Sequence, residues 1–403
     1  MPARREKGSG TEFKISDTRW MARAEMPRDP ATGKRRRISA TGRTRTEARE
    51  KLKTKIEQLQ REGTMPSAHA PMLRDYSERW LKLAATRVKP RVLETYHSEC
   101  NSINSMIGGM RLDEITPASI NTMLTELGRT RSPKTVLNHY IRLKQILNNA
   151  VREQLITSNP ALATDPPRVE PSETRILDAG QPVQAINATL QPERRKYDMI
   201  HDSDADRQMW ALMFDIAFAT GMRQAERFAI TPAELVTRDG IHGIQVEWEL
   251  QRLNGEPQIP AWLTARRIDE HHWLLPPKSR NGKRFVPLST EHWIALRELA
   301  GRKHAKPNDL IFTAPDGRPL NGNMERIRWR RALEDAGLPY VTMRAARHFF
   351  STHLAEQGAS EDARKAMMGH AKITTTAGYT HWTPETLAAL ADGARAAIGD
   401  GES

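Results

Sequence analysis

Apolar residues recur along this chain at two periods, and the changes of period divide it into three parts. Near the N-terminus the alternation is short-range. Phe13–Ile15, Trp20–Glu25 and Lys34–Ala40 read as strands, with turn chemistry from Arg28 to Gly33 between the last two. A helical stripe follows, Ala48, Leu52, Ile56 and Leu59, opened by Thr46 as a cap and closed at Gly63. Beyond Pro66–Pro71 the period stays helical. Tyr76, Trp80 and Leu83 share a face. Thr116-Pro117 opens a helix carrying Ile120, Met123 and Leu124. Ser132-Pro133 opens another carrying Val136, Tyr140, Leu143 and Leu147, and Asn159-Pro160 closes the region. A Pro-rich stretch, Asp165–Glu173, separates this from a mixed C-terminal part. There Met209, Leu212, Met213 and Ile216 form one stripe of a helix ending at Gly221, and Ile241–Leu250 reads as strand. Leu274–Leu288 reads as a hairpin around Asn281-Gly282. Helices start near Glu291, Asn323, Ala345, Glu361 and Pro384, and no segment repeats another. The pattern predicts a multidomain α+β chain. Residues 1–66 form a three-stranded sheet plus helix, 72–165 an all-α domain, and 173–403 a mainly α domain with a small sheet or β-hairpin.

Charge narrows the partner. The 403 residues carry 62 Lys+Arg against 49 Asp+Glu, a net +13, and residues 1–60 alone account for +9. So basic a chain points to a polyanion, nucleic acid or an acidic membrane surface. The membrane alternative weakens. No apolar run reaches the roughly 20 residues of a span, and the charged N-terminus lacks the apolar core of a signal peptide. Cys100 is the single cysteine, which excludes an intrachain disulfide and a cysteine zinc site. A reducing compartment is compatible with this, and nucleic acid is the better of the two partners. Lys34, Arg35, Arg36 and Arg37 form an unbroken basic run. On a strand they alternate between faces, so they cannot all line one groove.

Four stretches of the C-terminal part concentrate reactive side chains: Ala219–Glu226, Lys278–Leu288, Arg344–His353 and Met368–Tyr379. Each alone has an ordinary explanation. An Arg at a helix start is usually solvated, a Lys beside a turn guards an edge strand, and a lone His or Tyr is usually structural. Their order and spacing set them apart. Arg223 stands in a T-G-x-R-x-x-E context with Glu226, and Lys278 lies beside the expected hairpin. Arg347-His348 follows Arg344, and Gly369-His370 precedes Tyr379 by nine residues from the histidine.

In these motifs the chain resembles the tyrosine recombinases, the phage integrase family. The resemblance extends upstream, through Thr135-Val136, Ala150-Val151 and Asn159-Pro160-Ala161, to that family's core-binding domain. Through Trp20 and Gly33–Leu52 it reaches an arm-type DNA-binding domain. It implies Tyr379 as a nucleophile forming a 3′-phosphotyrosyl link and Lys278 on its hairpin as general acid. Arg223, Arg347 and His370 would be donors to the non-bridging phosphate oxygens, with Glu226 orienting Arg223. One position departs from the family pattern, because Arg344 stands where a histidine is usual. A guanidinium donates well to phosphate but is a poor base, so the general base stays unassigned; His348 is a candidate, in a place that the family more often uses structurally, as support to the site. No cofactor, metal or ATP is expected, since the two arginines, Arg223 and Arg347, replace what metals do in other nucleases.

The resemblance also implies double-stranded DNA as partner, at core sites gripped by the two larger domains and at separate arm sites held by the basic N-terminus. Trp20, Arg23 and Lys34–Arg37 are the arm candidates. It implies a homotetramer on DNA, a directionality factor and a host DNA-bending protein. Leu387, Leu390 and Ala391 of the last helix either pack on their own domain or dock on a neighbouring subunit. A type IB topoisomerase, a conjugative-transposon recombinase and a catalytically inactive DNA-binding protein are the alternatives.

Overall fold

The structure is a computed structural model, and it describes residues 11–26, 36–62, 70–170, 175–191, 202–369 and 384–399. The chain divides into two compact units. Residues 1–84 and 95–169 form one, and residues 85–94 and 170–403 form the other. Residues 85–94, placed with the all-α part on sequence grounds, pack with the second unit.

In the first unit β1 (Thr11–Ser16), β2 (Arg19–Met26) and β3 (Arg36–Gly42) make an antiparallel sheet in that order, followed by α1 (Arg45–Glu62). Strand alternation sends Ala22, Ala24 and Ile38 to the helix, where Ala48 and Leu52 meet them and Trp20 packs alongside. The opposite face carries Arg23, paired with Thr11 on one side and Ser39 on the other. Its guanidinium lies 5.4 Å from the centre of the Phe13 ring. Helix α1 starts earlier than expected. Thr44, not Thr46, caps it, accepting from Glu47 N at 3.1 Å. Lys34, Arg35 and Gly63 lie outside the described residues, and Arg36 is described by its backbone only.

The helical part comprises α2 (Leu73–Ala85), α3 (Pro90–Ile107), α4 (Pro117–Gly128) and α5 (Pro133–Arg152). Thr116 and Ser132 cap α4 and α5 as their sequence implies, each with Pro at the first helical position. Leu73, Tyr76, Ile103, Ile120, Leu143, Ile146 and Leu147 are buried. Leu83, although in phase with Tyr76 and Trp80, is exposed.

The second unit is built on α6 (Gln181–Leu190), α7 (Asp204–Thr220) and the single turn α8 (Gln224–Arg227). Two three-stranded sheets follow from β4 (Leu235–Arg238), β5 (Ile241–Val246), β6 (Glu249–Arg252), β7 (Arg266–Arg267), β8 (His272–Leu275) and β9 (Arg284–Pro287). Then come α9 (Thr290–Arg302), α10 (Gly322–Asp335), α11 (Arg344–Glu356), α12 (Glu361–Met368) and α13 (Pro384–Gly399). Aromatic rings fasten α7, α10 and α11 together. Phe218 meets Trp329 at 5.6 Å and, edge-on, Phe349 at 5.4 Å between ring centres. In α13, Leu387 and Ala391 are buried with Phe350, Leu354 and Met368 of the same chain.

The hairpin expected around Asn281-Gly282 is not one. β8 pairs with β6 and β7, whereas β9 pairs with β5, so the two strands belong to different sheets. Pro276 and Pro277 directly follow β8. They have no N–H to donate, so the ladder cannot continue toward the turn. A short 3-10 turn, Arg280–Gly282, bridges the sheets instead. No helix among the described residues is long and apolar enough to cross a membrane.

Candidate active site

Helix α7 ends at Gly221 because that residue sits in the left-handed region at φ 59°. A side chain there would also strike Phe350, 2.6 Å from an ideal Cβ. The sharp exit delivers Arg223 to the start of α8, where its own N–H donates to Glu226 Oε2 at 2.9 Å. Arg223 Nη1 donates to Glu226 Oε1 at 2.6 Å and Nη2 to Gly369 O at 3.1 Å. The spacing of three residues within one turn brings the two side chains together.

Glu226 is fully buried and bound on both oxygens by a second arginine. Arg284 Nη1 donates to Oε1 at 3.1 Å and Nη2 to Oε2 at 2.9 Å. Burial alone would raise the Glu226 carboxyl. The Arg284 guanidinium, then Arg223, outweighs it and holds the group below the ordinary carboxylate value. Arg284 also reaches Met367 O at 2.7 Å and Gly282 O at 3.0 Å. It therefore ties α8, the Lys278 connection and the end of α12 to one another. Gly369, at φ 64°, brings its backbone so close that a Cβ would lie 3.0 Å from Arg284 Nη1.

Arg347, on the first turn of α11, donates to Gly221 O at 2.7 Å and to Met368 O. Burial first, then the like charges of Arg223 and Arg284, pushes it down to about 9, so it stays charged at neutral pH. Arg223, Arg344 and Arg347 line one cavity of about 460 Å³, with Gln224, Tyr340 and Thr342 on the same wall. Arg344 is exposed at its edge. Among the described residues Glu226 is the one carboxylate bonded to any of Arg223, Arg284, Arg344 and Arg347. Glu325 also lines the cavity but is paired with Arg227, so the guanidiniums of Arg223, Arg344 and Arg347 remain in excess and make a preformed anion site. Lost hydration, then Arg344 and Arg347, holds His348 below its ordinary value, so it is neutral at pH 7 and able to accept a proton.

Lys278 is exposed in the connection between β8 and the 3-10 turn. His370 and Tyr379 lie outside the described residues. Motif reading passed over Arg284 although it lies in the same stretch as Lys278. The available signal was its place beside Phe285 and Val286 in a strand with every position buried, where an arginine needs a partner.

The site is an arginine-lined cavity in a mainly helical unit, and a smaller helical region precedes it along the chain. The chain belongs to the phage integrase family: that family's description matches residues 183–386, and its N-terminal SAM-like domain matches residues 72–128. It is 25% identical over 373 residues to a protein described as tyrosine recombinase XerC-like from Caldanaerobacter subterraneus subsp. tengcongensis, covering 88% of this chain and 90% of that one. An integrase from Streptomyces ambofaciens is 22% identical over 399 residues, covering 93% and 92%. Among solved structures, the Tn1549 transposon integrase in complex with transposon right end DNA has a TM-score of 0.59 at 20% identity, covering 80% of this chain and 99% of that one. A lambda integrase dimer bound to a core site has 0.52 at 16% identity, covering 100% and 99%. At those identities the structural likeness speaks to fold.

Proposed function

We propose that this protein is a site-specific DNA recombinase that integrates, and excises, the genome of a phage or other mobile element. In this reading Tyr379 attacks the scissile phosphorus, and the bond to the 5′-oxygen breaks. Lys278 gives that oxygen its proton, leaving a 3′-phosphotyrosyl link that conserves the phosphodiester's energy. Arg223 and Arg347, with Arg344 at the edge and His370 as a further donor, hold the non-bridging oxygens as their charge grows. Glu226 and Arg284 orient Arg223. His348, neutral among these cations, is the candidate acceptor of the tyrosine proton. Strand exchange reverses the step with a 5′-hydroxyl of the partner duplex. The arginine-lined cavity, with Arg223 anchored on buried Glu226, carries the reading.

DNA is the partner, as in the relatives. Residues 1–66 would bind arm sites, with Arg23, Arg37 and the Lys34–Arg36 run as contacts. Residues 72–165 and 173–403 would bind the core site. Four copies would assemble on two duplexes, a reading supported by the lambda integrase tetramer bound to a Holliday junction. A directionality factor and a host bending protein would set direction, and the cytoplasm of a bacterial host would be the setting. A suicide substrate tests the nucleophile. A nicked core duplex is incubated with the wild type and with Tyr379→Phe, without metal, and resolved on a denaturing gel. A covalent adduct with the wild type alone is expected, and an adduct with both moves the nucleophile elsewhere.

A further inference from the structure

Lys278 follows two prolines. Neither Pro276 nor Pro277 has a backbone N–H, so this stretch presents only carbonyl acceptors and no neighbouring strand can hold it by a ladder. One side chain takes up both carbonyls. Lys89 Nζ donates to Pro277 O at 2.9 Å and to Pro276 O.

Lys89 is itself fixed. It precedes Pro90, and its carbonyl accepts from Val92 N and Leu93 N at 2.9 and 3.1 Å at the start of α3. The flanking segment is tied to the same unit by Trp262 Nε1 donating to Thr86 O at 2.9 Å and by Asn254 N donating to Glu94 Oε1 at 2.6 Å. The ammonium is half-buried; lost hydration lowers its pKa, and the nearby Glu249 carboxylate offsets part of that. A lysine in the usual surface role keeps its head in water. This one loses hydration and returns two hydrogen bonds to a single short stretch of backbone. Beyond Lys278 the loop is tight. Gly282 N donates to Ser279 O at 2.9 Å, and a Cβ on Gly282 would lie 2.4 Å from Pro277 Cβ. A shift at Pro276 and Pro277 therefore carries the whole 277–282 connection with it.

We propose that Lys89 is a positioning residue for cleavage, fixing the backbone from which Lys278 delivers its proton to the departing 5′-oxygen. This rests on the reading of Lys278 as general acid. Lys89 touches no reacting atom in this scheme, and the effect proposed for it falls on the one step in which Lys278 acts. A leaving group that departs as a stable anion has no need of that proton, so it exposes the difference.

The test uses two nicked duplexes carrying the core sequence that the full chain selects from a randomised DNA pool. One has the ordinary bridging oxygen at the cleavage point, the other a 5′-bridging sulfur. Because a positioned acid contributes about 100-fold or more and small misplacements are costly, Lys89→Met should form adduct on the oxygen duplex about tenfold or more slowly. On the sulfur duplex it should match the wild type. Lys89→Gln, which keeps a donor for one carbonyl, should fall between and keeps the test open if Lys89→Met does not fold. Equal losses on both duplexes, or no loss on either, overturn the proposal. Lys278→Ala separates the two levels: if sulfur does not rescue it, the general-acid reading fails first. If sulfur rescues Lys278→Ala but not Lys89→Met, the role of Lys89 alone is refuted.

Discussion

Glu226 and Arg284 face each other wholly inside the protein, two oxygens against two terminal nitrogens at 2.9 and 3.1 Å. The same carboxylate takes Arg223 Nη1 at 2.6 Å. One anion thus orders two guanidiniums of different fate. Arg284 is enclosed and fully committed to protein acceptors. Arg223 is about one-third exposed and keeps an open face toward the cavity. The enclosed arginine supports the exposed one.

Removing the enclosed partner should be costly. Arg284→Met leaves Glu226 buried beside Arg223 alone. The expected destabilisation is about 3 kcal/mol, the low end for a broken buried ion pair. Denaturant unfolding of this variant, of Glu226→Leu and of the double substitution gives the coupling directly. Singles within experimental error of the wild type would remove the pair from any organising role.

The excess of guanidinium over carboxylate at this cavity should bind a free tetrahedral anion. Orthovanadate or sulfate at about 100 times its Kd should stabilise the wild type by about 2.7 kcal/mol, seen as a raised melting temperature. Arg347→Met should abolish that rise. The same substitution should slow adduct formation on DNA by about 100-fold or more, as loss of one oxyanion donor does elsewhere. DNA affinity should change far less, because in the proposed complex most phosphate contacts would lie outside the pocket. An unaltered response to the anion in Arg347→Met would relocate the anion site.

Glu234 gives the second unit a pH dependence unrelated to catalysis. It is buried before β4, accepts from Thr231 N at 2.9 Å, and is pushed up to about 7, chiefly by burial. Its folded value is raised, so the stability from its neutral form is complete below the ordinary 4.5 and is lost as pH rises through about 7. Each tenfold gain in proton affinity on folding corresponds to on the order of 1.4 kcal/mol. Unfolding midpoints of the wild type should therefore fall between pH 5 and pH 8 relative to Glu234→Gln. Parallel profiles for the two proteins would count against this assignment.

The N-terminal sheet separates a packing residue from a binding one. Trp20 lies against the α1 cluster with Ala22 and Ala24, whereas Arg23 lies on the other face. Trp20→Ala should lower the stability of this part by about 3 kcal/mol, the usual cost of emptying an aromatic site. Arg23→Ala should leave stability within about 0.5 kcal/mol, as for surface positions. It should weaken binding to arm DNA and flatten its salt dependence by roughly one ion. Circular dichroism melts and a salt titration of binding tell the two apart.

Much of the architecture was legible in the sequence because it depends on neighbours along the chain. Thr116-Pro117 and Ser132-Pro133 start helices by local capping, Gly221 stops one by backbone conformation, and the sheet-plus-helix of residues 11–62 follows from its alternation and stripe. Arg223, Arg344 and Arg347 were selected by motif, as were His370 and Tyr379, for which sequence remains the sole ground. What the sequence left undecided is which charged side chains are used inward. Arg284 and Lys278 stand six residues apart in one basic stretch, yet one is locked to Glu226 and the other faces solvent. Lys89, in a connecting segment, binds carbonyls 187 and 188 residues away. Whether a strand pairs forward into a hairpin or sideways into another sheet, and so which cation ends up enclosed, is set by contacts between distant segments. Local periodicity fixes where an element begins and which face is apolar. It carries no information about the partner across the fold, and that partner decides whether a charge is solvated, paired or left open for a phosphate.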